Sequence, residues 1–301
     1  IAVVLARRVH LAHLLPHRDA GNTARIGLAL ALTLVGVVLS AFRWQRVLAT
    51  LDVHVPLYRL TRHYLASLFV GNFLPSTVGG DVLRVTRLGN ETGDSAKPFA
   101  SVVLERMSGW IVLPALTFIG LGINPTLRQL GSATAFASAV GAATLLALGG
   151  VLVAAANPRL GAKLSGSTGW RRFTGAIHLG VDRFRRRPML ALEVIAAGFV
   201  YQLCVLLSVF FAAKAIGLED VGITAIIAFF PVVLIVQTLP VTIGGLGVRE
   251  GAIYVLLHPI GVTSDQAISL GVVYYAMTLI VSQVGAPAFA AGGARKVAAP
   301  R

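Results

Sequence analysis

Six apolar runs, at residues 24–42, 107–123, 131–156, 194–213, 221–239 and 266–291, constrain this chain more than any other feature. Each is near the length at which a helix crosses hydrocarbon, about 17 to 25 residues. Together they use most of the 301 residues, leaving no room for a separate soluble domain. With 56% hydrophobic and 13% charged residues and a mean hydropathy of +0.79, the chain is too apolar to hide this surface inside a soluble globule. The reading is an all-α polytopic membrane protein, a single membrane domain over 1–301 with about six or more transmembrane helices.

A formal charge of +14 raises nucleic acid as a partner, but the basic residues fall in the connections between apolar runs, where membrane orientation is decided. The charge is therefore read as topological, with no nucleic-acid partner. The densest connection, 157–187, holds Arg159, Lys163, Arg171, Arg172, Arg183, Arg185, Arg186 and Arg187 against the single acid Asp182. Within it Trp170, Phe173, Ile177, Val181 and Phe184 recur at helical spacing, which predicts an amphipathic helix on an anionic leaflet. The plainer alternative is a cytoplasmic loop that obeys the positive-inside rule. Either way 157–187, 43–63, 84–97 and the C-terminus fall on the cytoplasmic side, and the sparsely charged 124–130 and 214–222 outside. Residues 7–25, with four arginines, fall outside in this topology and read as an interfacial segment. Residues 1–6 read as the end of a truncated first helix. Arg43, Trp44 and Arg46 are expected to end the first span at the headgroup level.

Residues 74–84, LPSTVGGDVLR, recur as 239–249, LPVTIGGLGVR, with six of eleven positions identical. Pro75 and Pro240 remove a backbone donor and disfavour helix at the preceding leucine. Gly79, Gly80, Gly244, Gly245 and Gly247 then loosen the chain, and Thr77 and Thr242 offer side-chain bonds to freed backbone groups. Each copy is expected to be a broken, re-entrant helix hairpin, 61–90 and 223–257, since backbone broken at membrane depth must be buried in protein or line a wet cavity. The first repeat covers about 24–123, the second about 221–291, and spans within 130–213 connect them. An odd number of spans between the breaks makes the pair an inverted repeat, as in many transporters.

Arg84 and Arg249 close the two copies. An arginine at the bilayer centre costs about 2.5 to 3.5 kcal/mol on insertion scales, so both should be paired, snorkelling or functional. With the free N–H groups of a half-helix start they make a site for an anion such as a lipid phosphate. Asp81, Arg84 and Arg87 are spaced to share a helical face. Asp81, Glu105 and Glu250 are available to neutralise the arginines or to meet a cationic headgroup, and Glu105–Arg106 reads as an internal charge pair. A lone LPxTxGG is more often a tight turn with an interfacial anchor; its duplication favours a substrate path. Asn72 and Gln237 occupy matching positions and are expected to bond freed carbonyls in preference to a substrate. Tyr274, Tyr275 and Gln283 read as packing polars, and Cys204 as a small packing residue. The histidines form no ligand pair and no nucleotide fingerprint occurs, so neither a metal nor another cofactor is expected.

FLPSTVGGDVLR, the later ASVVLERMSG and then LPVTIGGLGVREGA, with FRWQRVLATLDVHVPL before them, resemble the transmembrane domain of the lysylphosphatidylglycerol synthase family, flippase-like integral membrane proteins. The resemblance covers about 7–291. It implies a domain that moves an anionic, aminoacylated or sugar-linked lipid between leaflets, in a bacterial cytoplasmic membrane. Carried over, the family positions are Pro75, Gly79, Gly80, Asp81 and Arg84, then Glu105 and Arg106, then Pro240, Gly244, Gly245, Gly247, Arg249 and Glu250. Fused members carry a cytosolic transferase after the membrane domain; none follows the last span here, so synthase activity is not expected. The leading expectation is a lipid transporter with its partners a membrane phospholipid, a homo-oligomer or a separate synthase, driven by ion coupling or the lipid gradient. The alternatives are a membrane enzyme with Asp81, Glu105 or Glu250 as general base, and a non-transporting scaffold for a synthase.

Overall fold

The computed structural model describes residues 20–72, 78–156, 169–238 and 245–293. Among these the regular structure is helical: α1 Ala20–Thr50, α2 Leu57–Gly71, α3 Val78–Thr92, α4 Ala96–Ile123, α5 Ser132–Ala156, α6 Gly169–Arg186, α7 Pro188–Ala215, α8 Ile223–Val236, α9 Val248–Leu257, α10 Ser264–Gln283 and α11 Gly285–Gly293. Five of them, α1, α4, α5, α7 and α10, are long and apolar enough to cross a membrane. The remaining apolar run forms α8, whose 14 residues reach only about 21 Å at 1.5 Å per residue. That is short of the roughly 30 Å hydrocarbon core, as expected of one limb of a broken segment.

The first span runs further than its composition suggests. Helix α1 passes through Arg43, Trp44 and Arg46 to Thr50, because Trp44 is fully buried and Arg43 nearly so, with partners inside the protein. The headgroup-anchor reading fails for these two; only Arg46 stays half exposed, 3.3 Å from Glu193. The helix stops where Asp52 takes a left-handed conformation, φ 59°, and the Val53 N–H bonds back to the Leu48 carbonyl at 3.0 Å. Pro56 then precedes α2, which starts four residues before the expected broken segment, 61–90.

Helices α2 and α3 fold back on one another. Gly71 meets Gly80, Tyr64 meets Arg84 and His63 meets Glu91, so partners descend one helix while climbing the other, which is the antiparallel pairing of a hairpin. The two glycines of the first motif do not loosen this turn. Both are helical, since α3 begins at Val78, and Gly80 serves close approach: a Cβ there would sit 2.5 Å from the Ser67 carbonyl oxygen. In the second copy Gly245 and Gly247 hold φ 73° and 86°, conformations that glycine adopts without steric cost. Helix α9 starts at Val248, whereas the position matching Val78 is Ile243, so the copies share a sequence but not a backbone. Pro75, Thr77, Pro240, Thr242 and Gly244 lie outside the described residues, as do 1–19, 157–168 and the basic tail.

Helix α8 supplies the centre of the core, with Phe229, Phe230, Ile226 and Val233 buried. It lies close on α4, where a Cβ at Gly120 would stand 2.6 Å from the Ala228 nitrogen. Helices α1 and α7 are joined by small polar residues, Ser208 bonding the Ala29 carbonyl at 2.9 Å and Thr33 Oγ at 2.8 Å. The amphipathic α6 is present, but its apolar residues Ile177, Val181 and Phe184 pack on α1 and α4, while Arg185 and Arg186 stay exposed. The expected last span, 267–291, is divided at Val284, and α11 turns to pack on α2.

Candidate functional site

Five charged side chains from three helices form one continuous row. Arg43 on α1 donates from Nη2 to Glu105 Oε1 on α4 at 2.8 Å, and Glu105 Oε2 accepts from Arg84 Nη1 on α3 at 2.5 Å. Arg84 also donates to Asp81 Oδ1, through Nε at 3.0 Å and Nη2 at 2.8 Å, and Asp81 Oδ2 accepts from Arg106 Nε. The signs alternate along the row. The inner members are buried, with Glu105 1% and Arg84 3% exposed, while Arg106 is about a third exposed. Burying charges in this way requires pairing plus further hydrogen bonds. The Arg84 guanidinium lies between the Trp44 and Tyr64 rings, 5.1 and 4.9 Å from their centroids, and Arg43 lies 5.2 Å from that of Tyr201. Trp44 is itself held by an Nε1 bond to Ser101 at 2.8 Å.

Glu105 and Arg106 are therefore not a pair with each other. Neighbours on a helix point about 100° apart, so each turns to a different partner: Glu105 to Arg43 and Arg84, Arg106 to Asp81. Arg87 also departs from the expected common face. Its guanidinium donates to the Ala288 and Phe289 carbonyls at 3.0 and 2.8 Å, joining α3 to the end of α11.

The row forms one side of a cavity of about 290 Å³, whose walls include Arg43, Asp81, Arg84, Glu105 and Arg106. Asn72, Gln202, Gln237, Thr238, Tyr201 and Tyr274 line it as well. The preferred reading of Asn72 as a carbonyl partner is not met among the described residues, where its buried Nδ2 has no acceptor. Tyr274 is a cavity wall rather than a packing polar, and it stands edge-on to Phe230, with centroids 5.4 Å apart.

A second cavity, about 960 Å³, opens between α3 and α4 and is mainly apolar. Val82, Val85, Phe99, Val102, Val103 and Met107 are among its walls, and it shares Asp81, Arg106 and Trp110 with the first. The polar chamber thus adjoins an apolar groove at the Asp81–Arg106 ion pair.

The second copy is built differently. Arg249 donates to the neighbouring Glu250 Oε1 from Nε at 3.0 Å and Nη2 at 2.7 Å, and Glu250 Oε2 caps α9 by accepting from the Gly247 N–H at 2.5 Å. Both are buried, with Arg249 over the Tyr274 and Tyr275 rings and Glu250 against Gly271. Neither is among the described walls of the polar cavity; Tyr274 and Gln237 carry that side.

Sequence reasoning found Asp81, Arg84, Glu105, Arg106, Asn72 and Gln237, and missed Arg43, Tyr64, Tyr201 and Gln202. For Gln202 a signal existed: it is a polar residue inside an apolar span, 6% exposed. Arg43 looked terminal because a short polar stretch follows it. Among the described residues no cluster of His, Cys, Asp and Glu has the form of a metal site.

Fold and site define a polytopic helical membrane protein with a charged chamber enclosed by its helices. The chain belongs to the family described as the lysylphosphatidylglycerol synthase TM region, whose model matches residues 2–285. That family links the chain to lipid-related function in a membrane. No curated protein and no solved structure matches it.

Proposed function

We propose that this protein is a lipid transporter of the flippase type, carrying a lipid headgroup through the polar cavity while the acyl chains follow the groove between α3 and α4. The observation that carries this reading is a small charged chamber lying directly beside a larger apolar groove, with Asp81, Arg106 and Trp110 lining both. A lipid has that division within one molecule. Arg106, the most exposed cation of the row, is the first to meet an incoming phosphate. Arg84 and Glu105 are too well buried to leave their partners and hold the electrostatic frame.

Transport is favoured over headgroup chemistry because both carboxylates of the chamber accept from arginines, which suits neither to act as a general base. The second broken segment, with its own Arg249–Glu250 pair, is read as the inverted counterpart of the first. The 157–187 segment is read as cytoplasmic and against an anionic leaflet, with Arg185 and Arg186 outward. The test is reconstitution in liposomes holding a trace of headgroup-labelled phosphatidylglycerol. Crossing of unaltered lipid is expected, and Val85→Trp, which fills the groove, is expected to abolish it. Lipid recovered chemically changed, or crossing indifferent to Val85→Trp, overturns the reading.

A further inference from the structure

The walls of the polar cavity carry one cation in excess. Three guanidiniums, Arg43, Arg84 and Arg106, face two carboxylates, Asp81 and Glu105. All four carboxylate oxygens are engaged: Glu105 Oε1 by Arg43, Oε2 by Arg84, Asp81 Oδ1 by Arg84 and Oδ2 by Arg106. The Tyr64 hydroxyl also donates to Glu105 Oε1, at 3.4 Å. Meanwhile Arg43 Nε, Asn72 Nδ2 and Gln202 Nε2 are buried donors without an acceptor among the described residues, and all three belong to side chains lining the cavity. Gln202 and Arg43 are each only 6% exposed. A buried donor left unsatisfied is costly, and three of them on side chains that line one chamber point to a ligand rich in acceptor oxygens.

From this charge and donor balance we infer that the headgroup taken by this cavity is a phosphodiester bearing an uncharged, hydroxyl-rich substituent such as a polyol or sugar. A headgroup bearing an ammonium is disfavoured. The inference rests on the transporter reading and narrows its substrate. One phosphodiester charge balances the excess guanidinium. Hydroxyl oxygens on the substituent accept from Asn72 and Gln202. An ammonium finds no uncommitted carboxylate oxygen here and meets the excess positive charge, so an aminoacylated or ethanolamine headgroup is disfavoured in both respects. The Arg249–Glu250 pair does not alter this, being neutral as a unit with Glu250 engaged by Arg249 and the Gly247 N–H.

The test compares four diacyl probes of identical chains: phosphatidylglycerol, phosphatidylmethanol, phosphatidylethanolamine and lysyl-phosphatidylglycerol. Phosphatidylmethanol keeps the charge and lacks the hydroxyls; the other two add an ammonium. Retention on the purified protein is read by native mass spectrometry, and crossing is read separately in liposomes. Phosphatidylglycerol is expected to be retained about tenfold or more over each comparator, since a site built to bond hydroxyls rejects analogues without them. Gln202→Leu and Asn72→Leu are expected to erase its advantage over phosphatidylmethanol while leaving the discrimination against ammonium lipids. Equal or stronger retention of either ammonium lipid, or no preference of the wild-type protein for phosphatidylglycerol over phosphatidylmethanol, overturns the inference. Failure of every probe to cross sinks the transporter reading alone, because the retention series is decided without transport.

Discussion

Replacing Glu105 by glutamine removes one charge from the centre of the ionic row with little change of shape. Glu105 is 1% exposed and is held by Arg43 at 2.8 Å and Arg84 at 2.5 Å. With charge centres about 4 Å apart and an effective dielectric constant of about 20, each contact is worth about 4 kcal/mol before desolvation is counted. Glutamine keeps an acceptor oxygen for one guanidinium and presents an amide to the other. Arg84 retains Asp81, but Arg43 has no second carboxylate among the described residues. The loss of folding free energy is expected at about 3 to 5 kcal/mol, the scale for stranding a buried charge. Denaturant titration in mixed micelles measures it, for Glu105→Gln, Arg43→Gln and the double variant. Coupling between the two sites is expected, so the double variant recovers much of the loss, because the stranded cation is then gone. A single-variant loss below about 1 kcal/mol, or strict additivity, refutes the idea that this row is a mutually dependent unit.

Arg84→Lys keeps the charge but cannot span Asp81 and Glu105 together, and is expected to lose about 1.5 to 3 kcal/mol by the same titration. Gly80→Ala forces a methyl to within 2.5 Å of the Ser67 carbonyl, so α2 and α3 must part at a cost of about 1 to 3 kcal/mol, whereas Gly251→Ala, with open space around it, should gain up to about 1 kcal/mol. Asp52, at the end of α1, is held below the usual carboxylate range by the hydrogen bond from Arg187, aided by the charges of Arg187 and Arg183. Its folded pKa is depressed, so this link between α1 and α7 is fully present above the unfolded value of about 3.9 and is lost as pH falls through the folded one. Protection from hydrogen exchange around residue 187, corrected for the intrinsic pH dependence of exchange, should be flat from neutral pH down to that point and fall below it, and Asp52→Asn should lower it across the flat range.

The helical class and the broken first segment were legible because they rest on local rules: apolar run length, proline chemistry and an arginine that hydrocarbon will not take uncompensated. What could not be read was partnership across the chain. Glu105 and Arg106 are adjacent, and nothing local says that one turns to Arg43 and Arg84 and the other to Asp81. Arg43 sits where a span was expected to end; only the packing of Trp44 and the carboxylate on α4 explain why helix and burial continue past it. The matched LPxTxGG copies were expected to bring Arg84 and Arg249 to one anion site, yet Gly80 is helical and Gly245 is not. The acid of each copy differs in position, so one arginine faces the chamber and the other is closed within its own turn.

The clamp between Arg87 and α11 bears on the order in which the chain is made. Arg87 reaches carbonyls 201 and 202 residues further along, and α2 meets the same helix where Leu65 faces Gly285. Both limbs of the first hairpin therefore wait for about 200 further residues to be synthesised before their outer brace exists. At about 5 to 20 residues per second, that interval is roughly ten seconds or more. During it Asp81, Arg84 and Arg106 must be sheltered by whatever machinery inserts the chain, so the hairpin that carries Asp81 and Arg84 is braced only by a helix made about 200 residues later.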